Sequence, residues 1–261
     1  MPAMFFGRST EPLYGVLEPP RASPRRAGAL LLYPGVHEYM RSHWAFRSLA
    51  ASLSARGFDV LRFDYRGSGD SAGEADATTF EGCVEDACVA ANELRDSSGV
   101  DSVVLVGMRL GAAVALHAAA KLEFVRRVLL WNPVVRGRDY LAEIEQLDRG
   151  LRLRLLLPLR PPAGELAGYP FPAGVRRSIE SVDLGRLEMG ARRRVEIVVG
   201  AEALTPSSPA RELAGILERM GHAVGLHGVD DGGGPASYPD AALLARGAID
   251  ELVSCATGGD A

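Results

Sequence analysis

Gly107-Met108-Arg109-Leu110-Gly111 is the stretch of this chain most constrained by its own residue types. An apolar run, Val103 to Val106, precedes it and reads as a short buried strand, and an alanine-rich run to Ala120 follows and reads as a helix. A strand, a turn with glycines two residues either side of its apex, and a helix make a nucleophile elbow. The apex backbone is strained, and a side chain two positions away would collide with the neighbouring strand or helix. A working elbow carries Ser, Cys or Asp at its apex. This chain carries Arg109, a permanently cationic donor that cannot attack a carbonyl.

Arg109 at the start of a helix meets a macrodipole that disfavours a cation by about 0.3–1 kcal/mol. Its five N–H donors need acceptors. Three outcomes are open. An internal carboxylate fills the site, with Glu38, Asp70 and Asp139 as candidates; an anionic ligand presents a carboxylate or phosphate to the guanidinium fork; or Arg109 swings out to solvent. The surrounding polar residues are His37, Glu38, Tyr39, Arg41 and His43, read as a loop after Tyr33-Pro34-Gly35. Gly35, Val36, His37, Glu38, Met108, Arg109, Leu110 and Tyr238 form the candidate binding set. His37 and His43 have no third ligand at matching spacing, and Cys83, Cys88 and Cys255 fit no zinc pattern, so no metal is expected.

A chain of 261 residues, 47% hydrophobic, suffices for one α/β domain with a large core. The formal net charge of −4 argues against a nucleic-acid footprint. Lys121 is the only lysine, and the short runs Arg25-Arg26, Arg126-Arg127 and Arg192-Arg193-Arg194 read as solvated faces or strand flanks. Met4-Phe5-Phe6 is too short for a signal core, and no stretch reaches the roughly 18 apolar residues of a membrane span. A cytoplasmic location without membrane contact is therefore the expectation.

The elements that must position Arg109 follow from periodicity. An edge hairpin is expected at Met4–Gly7 and Leu13–Glu18, then strands at Ala29–Tyr33, Val60–Phe63, Val103–Val106, Val128–Trp131, Val195–Val199 and near Ala223–Val229. Helices are expected at His43–Arg56, along the face made by Phe80, Val84, Ala87, Ala91 and Leu94, after Arg109, and at Pro209–Met220 and Ala241–Val253. Strands alternating with helices require right-handed crossovers and a mainly parallel sheet covered on both faces. The alternation breaks over about 134–194, where helices at Tyr140–Leu157 and Ala173–Ser181 flank a proline-rich stretch; this reads as a cap insertion within a single domain spanning 1–261.

Tyr33-Pro34-Gly35, Asp64-Tyr65-Arg66-Gly67-Ser68-Gly69-Asp70-Ser71 and the elbow together resemble the α/β-hydrolase superfamily over nearly the whole chain. Gly107-Met108-Arg109-Leu110-Gly111-Ala112 and Leu130-Trp131-Asn132-Pro133-Val134-Val135-Arg136-Gly137-Arg138 more narrowly resemble the exosortase-system-associated and biosynthetic-cluster hydrolases, relatives with an Arg-Leu-Gly elbow. The resemblance implies a nucleophile at the apex, an acid after the seventh strand, a His after the eighth and an oxyanion hole in the loop after the third. The acid position is Ala203, with Glu202 beside it, and the loop from Asp230 to Pro239 contains no His. His227 lies several residues early but is the remaining candidate base, and Ser237 sits in the loop without an evident partner. Ser68 and Ser71 belong to a structural turn in this superfamily. Gly67-Ser68-Gly69-Asp70-Ser71-Ala72 matches a dinucleotide fingerprint in letters but continues as loop through Gly73 and Glu74, so no cofactor is expected.

These readings converge on a hydrolase-fold protein lacking the Ser-His-Asp triad, which binds a small acyl or anionic ligand or a partner protein. The alternative is an atypical ester or thioester hydrolase, or an acyltransferase, that uses Arg109 as an electrophilic group. A scaffold with a filled pocket is the third reading.

Overall fold

The computed structural model describes residues 2–159, 161–230 and 245–258 of the chain. An antiparallel hairpin of β1 (Ala3–Arg8) and β2 (Glu11–Glu18) opens the fold, and β3 (Ala27–Leu32) enters the centre of the sheet. Then follow α1 (Val36–Ser54), β4 (Asp59–Phe63), α2 (Phe80–Ser98), β5 (Ser102–Met108), α3 (Leu110–Lys121) and β6 (Arg127–Trp131). The segment before the next core strand holds α4 (Gly137–Arg154), a two-stranded ribbon of β7 (Glu165–Leu166) and β8 (Tyr169–Pro170), and α5 (Ala173–Glu180). The core resumes with β9 (Arg194–Gly200), α6 (Pro209–Arg219), β10 (Ala223–Val229) and α7 (Arg246–Thr257).

Eight strands form one sheet in the order β1-β2-β4-β3-β5-β6-β9-β10. The pairs from β4 to β10 are all parallel, while β2 joins β4 antiparallel. Buried on both faces, the central strands are continuous apolar runs rather than alternating ones: Ala29 to Leu32 and Val128 to Leu130 have no measurable exposure. Helices α1 and α7 pack on each other against one face, and α2 and α3 pair on the other. Phe46 of α1 stacks between Tyr33 and Trp131, and Phe80 of α2 meets His117 of α3 edge-on. The sheet therefore delivers the C-terminal ends of β3, β5 and β6 to one rim, beneath α4.

Helix α1 begins at Val36, seven residues before the expected start at His43. Gly35 is extended at the N-cap, its carbonyl accepts from the Glu38 and Tyr39 amides at 2.9 and 3.2 Å, and Glu38 sits in the first turn, where the macrodipole favours a carboxylate. The polar cluster obscured this start because its residues break the apolar period. Helix α7 runs past the expected end at Val253 to Thr257, and the expected start at Ala241 lies outside the described residues. Among the described residues no helix is long and apolar enough to cross a membrane.

Candidate functional site

The elbow is present in full. Arg109 has φ 54 and ψ −118, a strained apex for a residue with a side chain. The flanking glycines are obligatory. A Cβ on Gly107 would lie 2.2 Å from the Gly111 carbonyl, and one on Gly111 would lie 2.4 Å from the carbonyls of both Leu32 and Tyr33. The apex backbone is tied down as well: its N–H donates to the Trp131 carbonyl at 2.9 Å, and its own carbonyl accepts from Ala112 and Val134 at 3.1 and 3.2 Å.

The guanidinium turns inward to protein carboxylates. Nε donates to Glu38 Oε1 at 3.0 Å, and Nη2 donates to Glu143 Oε1 at 2.5 Å. Glu38 Oε2 accepts from the Tyr140 hydroxyl at 2.8 Å, and the Arg109 Cζ stands 5.5 Å from the centre of the Tyr140 ring. The close approach of Tyr140 requires Gly35, since a Cβ there would lie 2.5 Å from its hydroxyl. The two carboxylates differ in setting: the Arg109 and Glu38 side chains are 13% and 10% exposed, whereas Glu143 is 51% exposed. Burial opposes the Arg109 charge, but the Glu38 and Glu143 carboxylates outweigh it and hold the group above its ordinary pKa.

Of the three acceptors expected for Arg109, the structure brings in Glu38 alone. Asp139 is exposed and lies 3.9 Å from Arg136, and the Asp70 amide donates to Asp64 Oδ2 at 3.0 Å in the neighbouring turn. Glu143 and Tyr140 were not anticipated. They lie three residues apart on one face of α4, a spacing legible in the sequence, but nothing local states which face of that helix meets the elbow.

His37 is buried in the first turn of α1, its ring 5.9 Å from that of Tyr140. Burial lowers its pKa, with Glu38 opposing and the Arg109 charge adding to the shift, which favours the neutral imidazole. Met108 ends β5, and Leu110 is buried as the first residue of α3. Leu110, Gly35, Tyr33 and Gly111 help line a cavity of about 30 Å³ beside the elbow, far below the ~300–1,000 Å³ of typical small-molecule pockets. Tyr238 and Ser237 lie outside the described residues.

Ala203 falls in a single 3-10 turn, Ala201–Ala203, and Glu202 is exposed, its carboxylate lying over Gly200 rather than on Arg109. His227 does not serve the elbow. It lies on β10 in register with Val198, Trp131 and Met108, three strand spacings or ~14 Å across the sheet from the end of β5. Its ring nitrogens meet Glu196 Oε2 at 2.8 Å and Glu251 Oε1 at 2.7 Å instead. The Asp64–Ser71 segment is the expected structural turn. The Ser71 hydroxyl donates to the Asp64 carbonyl at 2.5 Å and accepts from the Tyr14 amide at 2.8 Å, and Gly67 and Gly69 have φ 74 and 54.

Residues 24–171 match the model of a family described as "Serine aminopeptidase, S33". A human relative, Protein ABHD12B, is 44% identical over 75 residues, a match covering 29% of this chain and 20% of the relative; the chain thus spans a fifth of that protein's length. Among solved structures, the chain resembles alpha/beta hydrolase domain-containing protein 10 from mouse, with a TM-score of 0.61 at 19% identity, covering 97% of this chain and 99% of that one. A thermostable carboxyl esterase from Bacillus coagulans, in complex with glycerol, aligns with a TM-score of 0.68 at 12% identity over 98% of each chain. At these identities the structural likeness shows the fold.

Proposed function

The chain belongs to the serine aminopeptidase S33 family of α/β-hydrolases, and from that premise we propose that it is a catalytically silent member whose cap is latched to the elbow through Arg109. The observation that carries this reading is the apex itself: a guanidinium held by Glu38 and Glu143 stands where the family's chemistry needs a nucleophile. The insertion between β6 and β9 is the cap, and α4 supplies Tyr140 and Glu143 to the latch.

The ligand class follows from the asymmetry of the two carboxylates. Glu38 is buried and fixed by two hydrogen bonds, whereas Glu143 is half exposed and meets the guanidinium by a single ion pair. A small acyl molecule ending in a carboxylate, or an acidic side chain of a partner protein, takes the place of Glu143 on Nη2 and parts α4 from the elbow. The small cavity supports a latched resting state. An electrophilic role for Arg109 in ester hydrolysis is the weaker reading, because two arms of the fork are already neutralised.

Two measurements test the proposal. A fluorophosphonate probe leaves the pure protein unlabelled, and robust labelling of any serine would end the reading. Glu143→Ala binds medium-chain carboxylates more tightly than the wild type by calorimetry; equal or absent binding in both proteins would leave the pocket merely filled.

A further inference from the structure

Far from the elbow, two strands and a helix bring together a thiol, an imidazole and a carboxylate that no sequence spacing connects. Glu196 lies on β9, His227 on β10 and Cys255 on α7, and their donor atoms all lie within 4.8 Å of one another. The parallel register sets Glu196 beside Gly225 and Val198 beside His227, so the two-residue strand period points Glu196 and His227 to the same face. Helix α7 packs on that face, with Glu251 and Cys255 one turn apart on its inner side.

We propose that this cluster binds a divalent transition-metal ion of the zinc class, through Cys255 Sγ, His227 Nε2 and Glu196 Oε2. The distances fit. Ions of this class sit ~2.3 Å from sulfur and ~2.0–2.1 Å from nitrogen or oxygen, so tetrahedral donor separations are ~3.3–3.6 Å. Cys255 Sγ lies 3.6 Å from His227 Nε2, and the 2.8 Å from Nε2 to Glu196 Oε2 opens by roughly half an ångström to admit the ion.

The surroundings are those of a metal centre. Glu251 Oε1 lies 2.7 Å from His227 Nδ1, where it accepts the remaining ring proton and fixes the imidazole for ligation through Nε2. Arg194 Nε donates to Glu196 Oε1 at 2.5 Å, which leaves Oε2 facing His227. Gly225 is the independent mark of the site: a Cβ there would lie 1.8 Å from Glu196 Oε2 and 2.7 Å from His227 Nε2, the two atoms that converge on the ion. Glu196 and Cys255 are buried, while the side chains of His227 and Glu251 are 30% and 33% exposed and leave a route from solvent. On binding, the thiol releases its proton to solvent, His227 ligates through an unprotonated Nε2, and the cation balances the thiolate and Glu196.

Cobalt(II) titration of the chelator-stripped full chain tests the assignment. The wild type takes up about one equivalent with a tetrahedral visible spectrum and a thiolate-to-cobalt charge-transfer band, and zinc(II) displaces it. Cys255→Ser loses the charge-transfer band, and Glu251→Gln weakens binding by about 10–100-fold, each with a wild-type circular dichroism spectrum. Should a variant fail to fold, the wild type decides alone: zinc(II) slows iodoacetamide alkylation of Cys255 but not of Cys88. Absence of cobalt uptake by the wild type, a charge-transfer band that survives Cys255→Ser, or alkylation of Cys255 indifferent to zinc would overturn the proposal.

Discussion

Glu38→Ala isolates the physics of the elbow. The substitution removes the acceptor for Arg109 Nε and for the Tyr140 hydroxyl together, and both bonds are sheltered, since the Arg109 and Glu38 side chains are 13% and 10% exposed. Breaking a buried ion pair from one side costs about 3–5 kcal/mol, because the other charge stays desolvated. Glu143 still holds Nη2, but a half-exposed carboxylate returns only about 0–1 kcal/mol. The net expectation is a loss of about 3 kcal/mol. Glu38→Gln retains an acceptor for one of the two donors and falls between, while Glu143→Ala costs under about 1 kcal/mol.

The assay is urea unfolding at neutral pH, read as a shift in midpoint at constant slope. A further variant separates lost attraction from stranded charge. Glu38→Ala combined with Arg109→Met removes the orphaned guanidinium, and the pair should be more stable than Glu38→Ala alone. The reasoning fails if Glu38→Ala lies within about 0.5 kcal/mol of the wild type, or if Glu143→Ala is the costlier change.

Gly111→Ala places a methyl 2.4 Å from two strand carbonyls and should cost more than about 4 kcal/mol or abolish soluble expression, whereas Gly99→Ala, at φ 65 with open space around it, should cost about 1 kcal/mol in the same denaturation assay. Burial lowers the pKa of His37, His117 and His222 below the ordinary 6.5, so these rings bind protons less readily folded than unfolded. Their contribution to stability is therefore fully present above about pH 6.5 and is lost as the pH falls below it; a flat melting temperature from pH 7 to 5 would contradict this, and His117→Gln should flatten the slope. Leu156 is 93% exposed with φ 54, so Leu156→Asn should leave thermal stability equal or higher and reduce aggregation on heating, measured by light scattering.

The elbow was legible because its constraint is local. Two glycines, each facing a backbone carbonyl, mark the turn whatever stands between them, and the apolar runs around them announce a strand and a helix. Glu38 could be named as a partner of Arg109 because it lies just after the β3 turn, at the same rim of the sheet. Glu143 and Tyr140 could not, because the docking angle of α4 depends on contacts such as the Gly137 amide to the Val182 carbonyl, at 2.8 Å. The early start of α1 was hidden by polar residues in its first turn, and the distance of His227 from the elbow was hidden because chain order says nothing of lateral separation across a sheet. The same lateral packing assembles Glu196, His227 and Cys255, which explains why cysteine spacing gave no sign of them.

An elbow with arginine at its apex would be expected to relax, because a side-chain-bearing residue in a strained backbone region costs about 1–3 kcal/mol. Arg109 keeps φ 54 all the same. The reason lies in the backbone rather than the side chain. Its N–H and C=O make three hydrogen bonds, to Trp131, Ala112 and Val134, and these fasten the end of β5 to the end of β6 and to the first turn of α3. Relaxing the apex would break those bonds and drive the Gly107 and Gly111 backbones apart from the contacts that only glycine permits. The strained conformation is thus a requirement of the β5–α3 crossing, and it aims whichever side chain occupies the apex at the rim of the sheet. A short hydroxyl there would reach a substrate; a long cation reaches α1 and α4. The same backbone can therefore present either a short side chain to the rim or a long one that ties α1 and α4 to the end of β5.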